Sequence, residues 1–364
     1  MKRFIRQGRR IACPPGGTDH RLWWSVMLCY SKLLDRRHKP IVCPTLRLDQ
    51  PSEHLRLGRK LGQAIRLPGI FAVSLACAAA VHASTYYVTI AGLGGEPEYE
   101  QRFSGWAKDI DKALKAAPDS KVDTLYGPAA TRTAIQAVLA RIGKEAKPQD
   151  ALVVMLIGHG AFDGADYKIN LPGPDLTAIE LASALDRLPP TRQLVVNMTS
   201  CSGGAIDALR KENRVIVSAT KTGTEKNATV FARYWAEALR DPAADADKNE
   251  TVSALEAFRY ADQKTVKFYE TQKRIATEHA LLEDTAPDNG EGMLASAFPL
   301  LRLGSNASAA SNPQKLKLLA QKEELEQQID RLKYQKAAMP IEDYKRQLGA
   351  LLLQLAKTQE ELDQ

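Results

Sequence analysis

The sequence predicts an α/β protein built around a mainly parallel sheet. Runs of continuously apolar, β-branched residues recur along the chain, as expected of strands that are covered on both faces. Segments with apolar residues at helical spacing lie between these runs, so that strands and helices alternate. This alternation predicts helices on both faces of the sheet, which is a three-layer α/β/α arrangement.

The expected elements can be assigned in order along the chain. The strands are predicted at 86–93, 121–126, 151–158, 193–198 and 214–218. The helices are predicted at 98–117, 131–146, 176–188, 205–209, 228–240 and from 253 to 269. Thr131 is a typical helix N-cap, and Pro189 and Pro190 end the helix before them. His279 follows the last predicted strand in a stretch with helical character, and we expect it to be a structural or surface histidine.

The C-terminal part of the chain has a different composition. Residues 304–313 are small and polar and predict a linker. Residues 314–336 and 341–362 are rich in Glu, Lys, Gln and Leu, with apolar side chains three or four residues apart. Pro340 separates the two segments, which therefore predict an antiparallel helical hairpin of coiled-coil character. We expect this hairpin to pack on the domain, to self-associate or to bind a partner.

The positive charge of the chain is confined to its N-terminal leader. The 364 residues include 50 Lys and Arg and 43 Asp and Glu, a net charge of +7. Residues 1–83 contain 15 basic and 4 acidic residues, whereas 84–364 contain 35 basic and 39 acidic ones. The folded part is therefore slightly acidic, which argues against a nucleic-acid partner.

Residues 56–83 are typical of a secretory signal peptide. Basic residues precede an uncharged apolar run, 67–83, in which Val81 and Ala83 are the small residues of a cleavage site. The run is marginal in length for a transmembrane helix. We expect a periplasmic or secreted protein, or one anchored in the inner membrane if the segment is retained. Residues 1–55 predict a disordered or untranslated extension, with the true start near residue 55.

Very few reactive side chains remain beyond residue 83. Cys201 is the one cysteine there, and His159 and His279 are the two histidines. An internal disulfide and a zinc site of the Cys/His type are thereby excluded. His159 directly follows the predicted strand 151–158 and Cys201 follows 193–198, so both are expected at the carboxyl edge of the sheet. A thiol beside an imidazole is a candidate nucleophile with its base, although a buried, inert cysteine has the same sequence signature.

The segments MLIGHG and VVNMTSC resemble the paired motif of the caspase/legumain-like cysteine peptidases. The resemblance covers about 86–240 and implies a caspase-like α/β/α sandwich and a bacterial, exported member of the legumain type. It implies that His159 is the general base, Cys201 the nucleophile, and the amides of Gly160 and Cys201 the oxyanion donors. The loop 92–96 lacks the asparagine that orients the histidine in legumains, so a backbone carbonyl is expected to orient the ring, giving a Cys–His dyad.

The substrate is less defined than the reaction. By position, Asp163, Asp166 and Thr220, the last in the loop 220–227, are candidates to line the substrate site. The resemblance implies hydrolysis of a polypeptide without an organic cofactor. Two other functions remain open: a transpeptidase of the same fold, and a non-catalytic, calcium-binding scaffold that presents the helical hairpin to a partner.

Residues 245–256 match the ligand pattern of an EF-hand calcium loop. Oxygen-bearing residues occupy loop positions 1, 3, 5, 7, 9 and 12, namely Asp245, Asp247, Asn249, Thr251 through its carbonyl, Ser253 and Glu256. Position 6, normally glycine, is Glu250. The alternative is a polar linker followed by a helix capping box formed by Ser253 and Glu256. The two interpretations are compatible, because a helix also follows an EF-hand loop.

Overall fold

A computed structural model describes residues 83–117, 120–284 and 292–364. The predicted extension and almost all of the predicted signal peptide lie outside the described residues. Export, membrane anchoring and the start site therefore stay predictions. Among the described residues, no helix is both long enough and apolar enough to span a membrane.

The centre of the fold is a six-stranded sheet. The strands in chain order are β1 (Thr85–Ala91), β2 (Ser120–Leu125), β3 (Ala151–Ile157), β4 (Gly160–Phe162), β5 (Tyr167–Ile169), β6 (Leu176–Thr177), β7 (Arg192–Asn197), β8 (Arg214–Ser218), β9 (Thr251–Ser253), β10 (Leu281–Asp284) and β11 (Pro299–Arg302). The main sheet has the order β10-β8-β7-β3-β1-β2. Its strands are parallel except β10, which pairs antiparallel with β8. The predicted mainly parallel sheet is confirmed.

Helices cover both faces of this sheet. They are α1 (Pro97–Lys115), α2 (Arg132–Glu145), α3 (Ala178–Asp186), α4 (Ile206–Leu209), α5 (Phe231–Ala238), α6 (Ala254–Thr271), α7 (Met293–Ser296), α8 (Gly304–Ala310), α9 (Pro313–Gln335) and α10 (Ile341–Asp363). One core joins alternate strand residues such as Val153 to α1, α5 and α6, and the other joins residues such as Val154 to α2, α3 and α4. Successive side chains of a strand point to opposite faces, so the apolar runs feed both cores. The predicted three-layer arrangement is confirmed.

The segment after His279 is a strand, and the predicted helix there is wrong. Residues 281–284 form β10 at the edge of the main sheet, where they pair with Val215–Ser218 of β8. Leu281 packs into one core and Leu282 into the other. Adjacent leucines that point to opposite faces suit an edge strand covered on both sides. The strand with which they pair lies more than 60 residues earlier in the chain.

The segment predicted as a linker, 304–313, contains helix α8. The carboxylate of Glu250 accepts hydrogen bonds from the backbone N–H groups of Ser305 and Asn306 at the start of this helix (2.9 and 3.2 Å). Asn306 is buried and donates from Nδ2 to the carbonyl of Asn249 (2.9 Å). The small, polar segment is therefore helical because Glu250 caps its first turn and the buried amide of Asn306 is hydrogen-bonded.

The C-terminal hairpin packs against the domain. Lys315 at the start of α9 donates to the carbonyl of Leu362 at the end of α10 (2.8 Å), so the two helices are antiparallel. Arg302 of β11 makes two hydrogen bonds to the carboxylate of Glu323 on α9 (2.8 and 3.1 Å). This bidentate ion pair fixes the position of the hairpin on the domain.

Candidate active site

The two loops that carry His159 and Cys201 lie side by side. Strands β3 and β7 are parallel neighbours, with Leu156 opposite Asn197 at their carboxyl ends. His159 comes two residues after β3 and Cys201 four residues after β7. Both candidate residues therefore emerge at the same edge of the sheet, as their sequence positions predicted.

Ser200 joins these loops directly. Its Oγ accepts a hydrogen bond from the N–H of Gly160 (3.0 Å) and donates one to the carbonyl of the same residue (3.1 Å). A Cβ on residue 160 would lie 2.4 Å from the Ser200 carbonyl oxygen, so only glycine allows this approach. These two hydrogen bonds, here called the clamp, join Gly160, which follows His159, to Ser200, which precedes Cys201.

His159 is held in a half-buried aromatic setting. The rings of Tyr99 and Phe103 on α1 meet the imidazole edge-on, with centroid separations of 4.8 and 5.1 Å. Burial lowers the pKa of His159 below its usual value, while a hydrogen bond to the backbone of Gly94 and the charge of Glu96 act in the opposite direction. The imidazole is therefore neutral near pH 7, which is the state that a general base needs.

The backbone group that orients His159 belongs to Gly94. Gly94 lies in the loop after β1, between Ala91 and the start of α1 at Pro97. Its own N–H donates to Oε2 of Glu100 (3.0 Å) at the start of α1. A Cβ at residue 94 would be 2.4 Å from the backbone nitrogen of Glu100, so a side chain at this position is excluded by contact.

Cys201 is covered in this structure. Only 1% of its surface is exposed, and its backbone adopts the left-handed conformation with φ 58°. Burial raises the pKa of the Cys201 thiol, although the charge of Lys226 and a hydrogen bond from the backbone of Phe162 favour the thiolate. The thiol is therefore protonated at neutral pH, and it becomes a nucleophile only when a base removes its proton.

The two amides implied as oxyanion donors are both occupied by the protein itself. The N–H of Gly160 donates to Ser200 Oγ, and the N–H of Cys201 donates to the carbonyl of Glu225 (2.8 Å). A substrate carbonyl can accept from these groups only after displacing the internal acceptors. This arrangement of the site is therefore closed to substrate.

Thr220, one of the predicted substrate-binding residues, is fully buried. Its Oγ1 accepts from the N–H of Gly203 (2.9 Å) and lies 3.1 Å from Ser202 Oγ. In this arrangement it stabilises the turn that follows Cys201. Its use in substrate binding stays a prediction.

Asp163 and Asp166 occupy the exposed turn between β4 and β5. Oδ1 of Asp163 accepts from the N–H groups of Ala165 and Asp166, both at 2.9 Å, and these bonds lower the pKa of Asp163. The observed role of Asp163 is to shape the hairpin turn. Its use in substrate binding stays a prediction.

Tyr167 and the hydroxyl residues before Cys201 were not singled out from the sequence. The buried phenol of Tyr167 contacts Thr199 Oγ1 (2.5 Å) and Asn197 Oδ1 (3.3 Å), and burial raises its pKa. This network supports the turn from beneath. The sequence offered one signal for this network, namely the consecutive hydroxyl residues Thr199 and Ser200 before the cysteine. Buried hydroxyl groups require hydrogen-bond partners.

The backbone of the predicted calcium loop, 245–256, is held by hydrogen bonds to the carboxylate of its first residue. The carboxylate of Asp245 accepts from the N–H groups of Asn249 and Glu250 (3.2 and 3.1 Å). Carboxylate oxygens of Asp245, Asp247 and Glu256 all lie within 4.8 Å of one another. Glu250 adopts φ 64°, so it takes the left-handed conformation for which glycine is usual at position 6.

The remaining predicted ligands are distributed around these carboxylates. Asn249 Oδ1 accepts from the N–H of Thr251 (2.8 Å). Ser253 and Glu256 form the expected capping box at the start of α6. Both interpretations of the segment are thus compatible with the observed geometry.

The carboxylates of the loop repel one another. Burial and the charges of Glu256 and Asp245 raise the pKa of Asp247. Glu326 of α9 reaches the same loop, where its Oε2 accepts from Asn249 Nδ2 (3.3 Å), and burial raises its pKa to about 7. Clustered oxygen ligands that disfavour their own charge are the donor set that suits a hard divalent cation.

Comparison with known proteins gives weak matches only. No protein-family model matches the chain, and no curated protein is significantly similar to it in sequence. Similar solved structures include protein GSU0716 from Geobacter sulfurreducens (TM-score 0.37, 11% identity, covering 56% of this chain and 92% of that one). They also include caspase-1 from Spodoptera frugiperda (0.40, 12%, 56% and 87%) and the Drosophila initiator caspase Dronc (0.37, 8%, 65% and 93%). At these scores the matches by themselves assign no activity to the chain.

Proposed function

We propose that this protein is an exported, caspase-like cysteine endopeptidase with a Cys201–His159 dyad. The observation that supports this most strongly is the clamp between the two loops, in which Ser200 Oγ holds both backbone groups of Gly160. The clamp brings the imidazole loop and the thiol loop together at one sheet edge. The imidazole is neutral and oriented through Gly94, as general base catalysis requires.

The reaction follows from the two side chains. His159 removes the proton from Cys201, and the thiolate sulfur bonds to the scissile carbonyl carbon. The carbon–nitrogen bond then breaks, and the imidazolium gives its proton to the departing amine. Water attacks the resulting thioester while His159 accepts the water's proton. The carbon–sulfur bond then breaks, and the imidazolium returns the proton to the departing thiolate. The products are a free carboxylic acid and the regenerated thiol. The amides of Gly160 and Cys201 stabilise the oxyanion once they are released from their internal acceptors.

The activity can be tested on a complex mixture of peptides. The full chain, His159→Ala and Cys201→Ala are incubated with the mixture, and new peptide termini are identified by mass spectrometry. We expect cleavage by the unaltered chain alone. Added glycine amide distinguishes a transpeptidase, because the amine would then be found joined to the new carboxyl termini.

The non-catalytic scaffold is the second candidate function, and the covered Cys201 favours it. Alkylation by iodoacetamide separates it from the peptidase. In the full chain, the tryptic peptide 193–210 contains Cys201 as its one cysteine. A dyad predicts slower alkylation of this peptide in His159→Ala, because the base is lost. Equal, slow rates in both proteins would support the scaffold.

We propose further that residues 245–256 bind calcium. The support is the EF-hand pattern together with the convergence of three carboxylates within 4.8 Å. The ion would neutralise mutually repelling charges and thereby tie α6 to the loop before it. Calorimetric titration of the full chain with calcium tests this proposal, which an absence of binding would refute.

A further inference from the structure

We propose that residues 221–226 form a lid that closes the active site and that must lift before substrate can reach Cys201. This inference rests on the proposed peptidase function. The lid follows β8 and lies directly over the turn that carries the thiol. Its contacts include one backbone hydrogen bond to Cys201, close packing against glycines, and a side-chain strap.

The backbone hydrogen bond joins the lid to the nucleophile residue itself. The carbonyl of Glu225 accepts from the N–H of Cys201 at 2.8 Å. This N–H is one of the two groups implied to stabilise the oxyanion. The same residue is only 1% exposed, so thiol and amide are both withheld in this arrangement. The lid holds the amide directly, and its movement therefore frees this oxyanion donor.

The packing of the lid depends on three glycines, two of which lie against the ring of Phe162. A Cβ on Gly223 of the lid would lie 2.2 Å from the ring of Phe162, and a Cβ on Gly204 would lie 2.6 Å from the same ring. A Cβ on Gly203 would lie 2.4 Å from the lid backbone at Lys221 and Thr222. Because glycine has no Cβ, the backbone of the lid can approach the turn around Cys201 more closely than any other residue would permit.

The lid is fixed at its two ends but exposed between them. Before it, Thr220 is held by Ser202 and Gly203. After it, Thr229 Oγ1 donates to the carbonyl of Met198 (2.6 Å). The side chains between these anchors are mostly exposed to solvent. Short segments with few buried contacts and firm anchors open locally without unfolding of the domain.

One side-chain contact straps the lid to a neighbouring segment. Oε1 of Glu225 lies 2.5 Å from Nδ1 of His279, and Oε2 accepts from the N–H of Lys221 (2.7 Å). His279 is 58% exposed, so it can be replaced without disturbing a core. The strap therefore offers a way to weaken the closed state while leaving Cys201 and His159 intact.

The test measures alkylation of Cys201 by iodoacetamide, read from peptide 193–210 of the full chain. His279→Ala and Glu225→Ala each remove the strap. We expect each to raise the alkylation rate about two- to five-fold, the range by which one partly exposed side-chain contact changes an equilibrium. The double variant should react no faster than Glu225→Ala, because Glu225→Ala already removes the contact with His279 together with the bond to the Lys221 N–H.

Glu283→Ala is the matched control. Glu283 is paired with Arg210 (3.1 Å), has a similar exposure to Glu225 and lies on β10, close to His279 in sequence. Among the described residues, this side-chain partner directly follows α4 and lies outside the lid. Its rate should equal that of the unaltered chain. Unchanged rates in both strap variants would overturn the lid, as would alkylation of the unaltered chain as fast as in urea. Loss of the proposed function has a different signature, namely an unchanged rate in His159→Ala.

Discussion

Replacing Asp247 by asparagine should have opposite effects on stability with and without calcium. The side chain of Asp247 faces two other carboxylates within 4.8 Å, and this repulsion raises its pKa. At that separation one pair of like charges costs about 1 kcal/mol in water and about 3 kcal/mol in a protein-like medium. Asparagine keeps the oxygen that accepts from the N–H of Asn249 (3.1 Å) but carries no charge.

Without calcium, the free energy of unfolding of Asp247→Asn should therefore exceed that of the unaltered chain by about 1 kcal/mol or more. The variant should accordingly unfold at a higher urea concentration. With calcium at a thousand times the dissociation constant, the unaltered chain gains about 4 kcal/mol, most of which the variant should lose. Urea unfolding in chelator and in calcium measures both effects.

Two comparisons sharpen this test. Asp343→Asn on the exposed surface of α10 should respond to calcium as the unaltered chain does. Asp245→Asn should be less stable in both conditions, because its carboxylate accepts two backbone N–H groups. The reasoning is refuted if Asp247→Asn is less stable than the unaltered chain in chelator, or if calcium stabilises the two equally.

Three further predictions concern the site and its support. Gly160→Ala should destabilise the fold by about 1–3 kcal/mol, because its Cβ would meet the Ser200 carbonyl. Gly105→Ala in α1 has open space around it and should be neutral or stabilising. Thermal unfolding of the two variants measures both effects. Ser200→Ala should cost about 1–3 kcal/mol in urea unfolding, because two hydrogen bonds are lost, while Ser308→Ala, with one exposed bond, should cost less than about 0.5 kcal/mol. Burial raises the pKa of Glu278, so the folded state holds this proton more tightly than the unfolded one; the free energy of unfolding should fall as the pH rises above the usual glutamate range, and Glu278→Gln should remove this part of the slope. A slope that is the same in both proteins would contradict this last expectation.

The elements that sequence reasoning located well are those with strong local signals. The strand predicted at 151–158 is observed as Ala151–Ile157, and the one at 214–218 has the predicted bounds. A fully apolar run leaves little choice but a covered strand. Because parallel neighbours end at the same edge, the joint position of His159 and Cys201 followed from their places after two such runs.

The details of the site depended on contacts that no local pattern encodes. The acceptor of the Cys201 amide is a carbonyl 24 positions later, and any residue type has such a carbonyl. Thr220 looked like a loop residue open to substrate, but it is buried because its hydroxyl satisfies the turn after Cys201. The strand β10 depended on an exposed edge of β8, which exists only once the sheet has formed.

The sequence alone determined the class of fold, the sheet edge shared by thiol and imidazole, and the ligand pattern of residues 245–256, because periodicity and spacing are properties of the chain itself. Only the tertiary structure decided that the orienting hydrogen bond of His159 is made with the backbone of Gly94 and that the Cys201 amide pairs with the Glu225 carbonyl. Backbone groups are the same in every residue, so their pairing across the fold is fixed by three-dimensional packing and leaves no trace in the order of side chains.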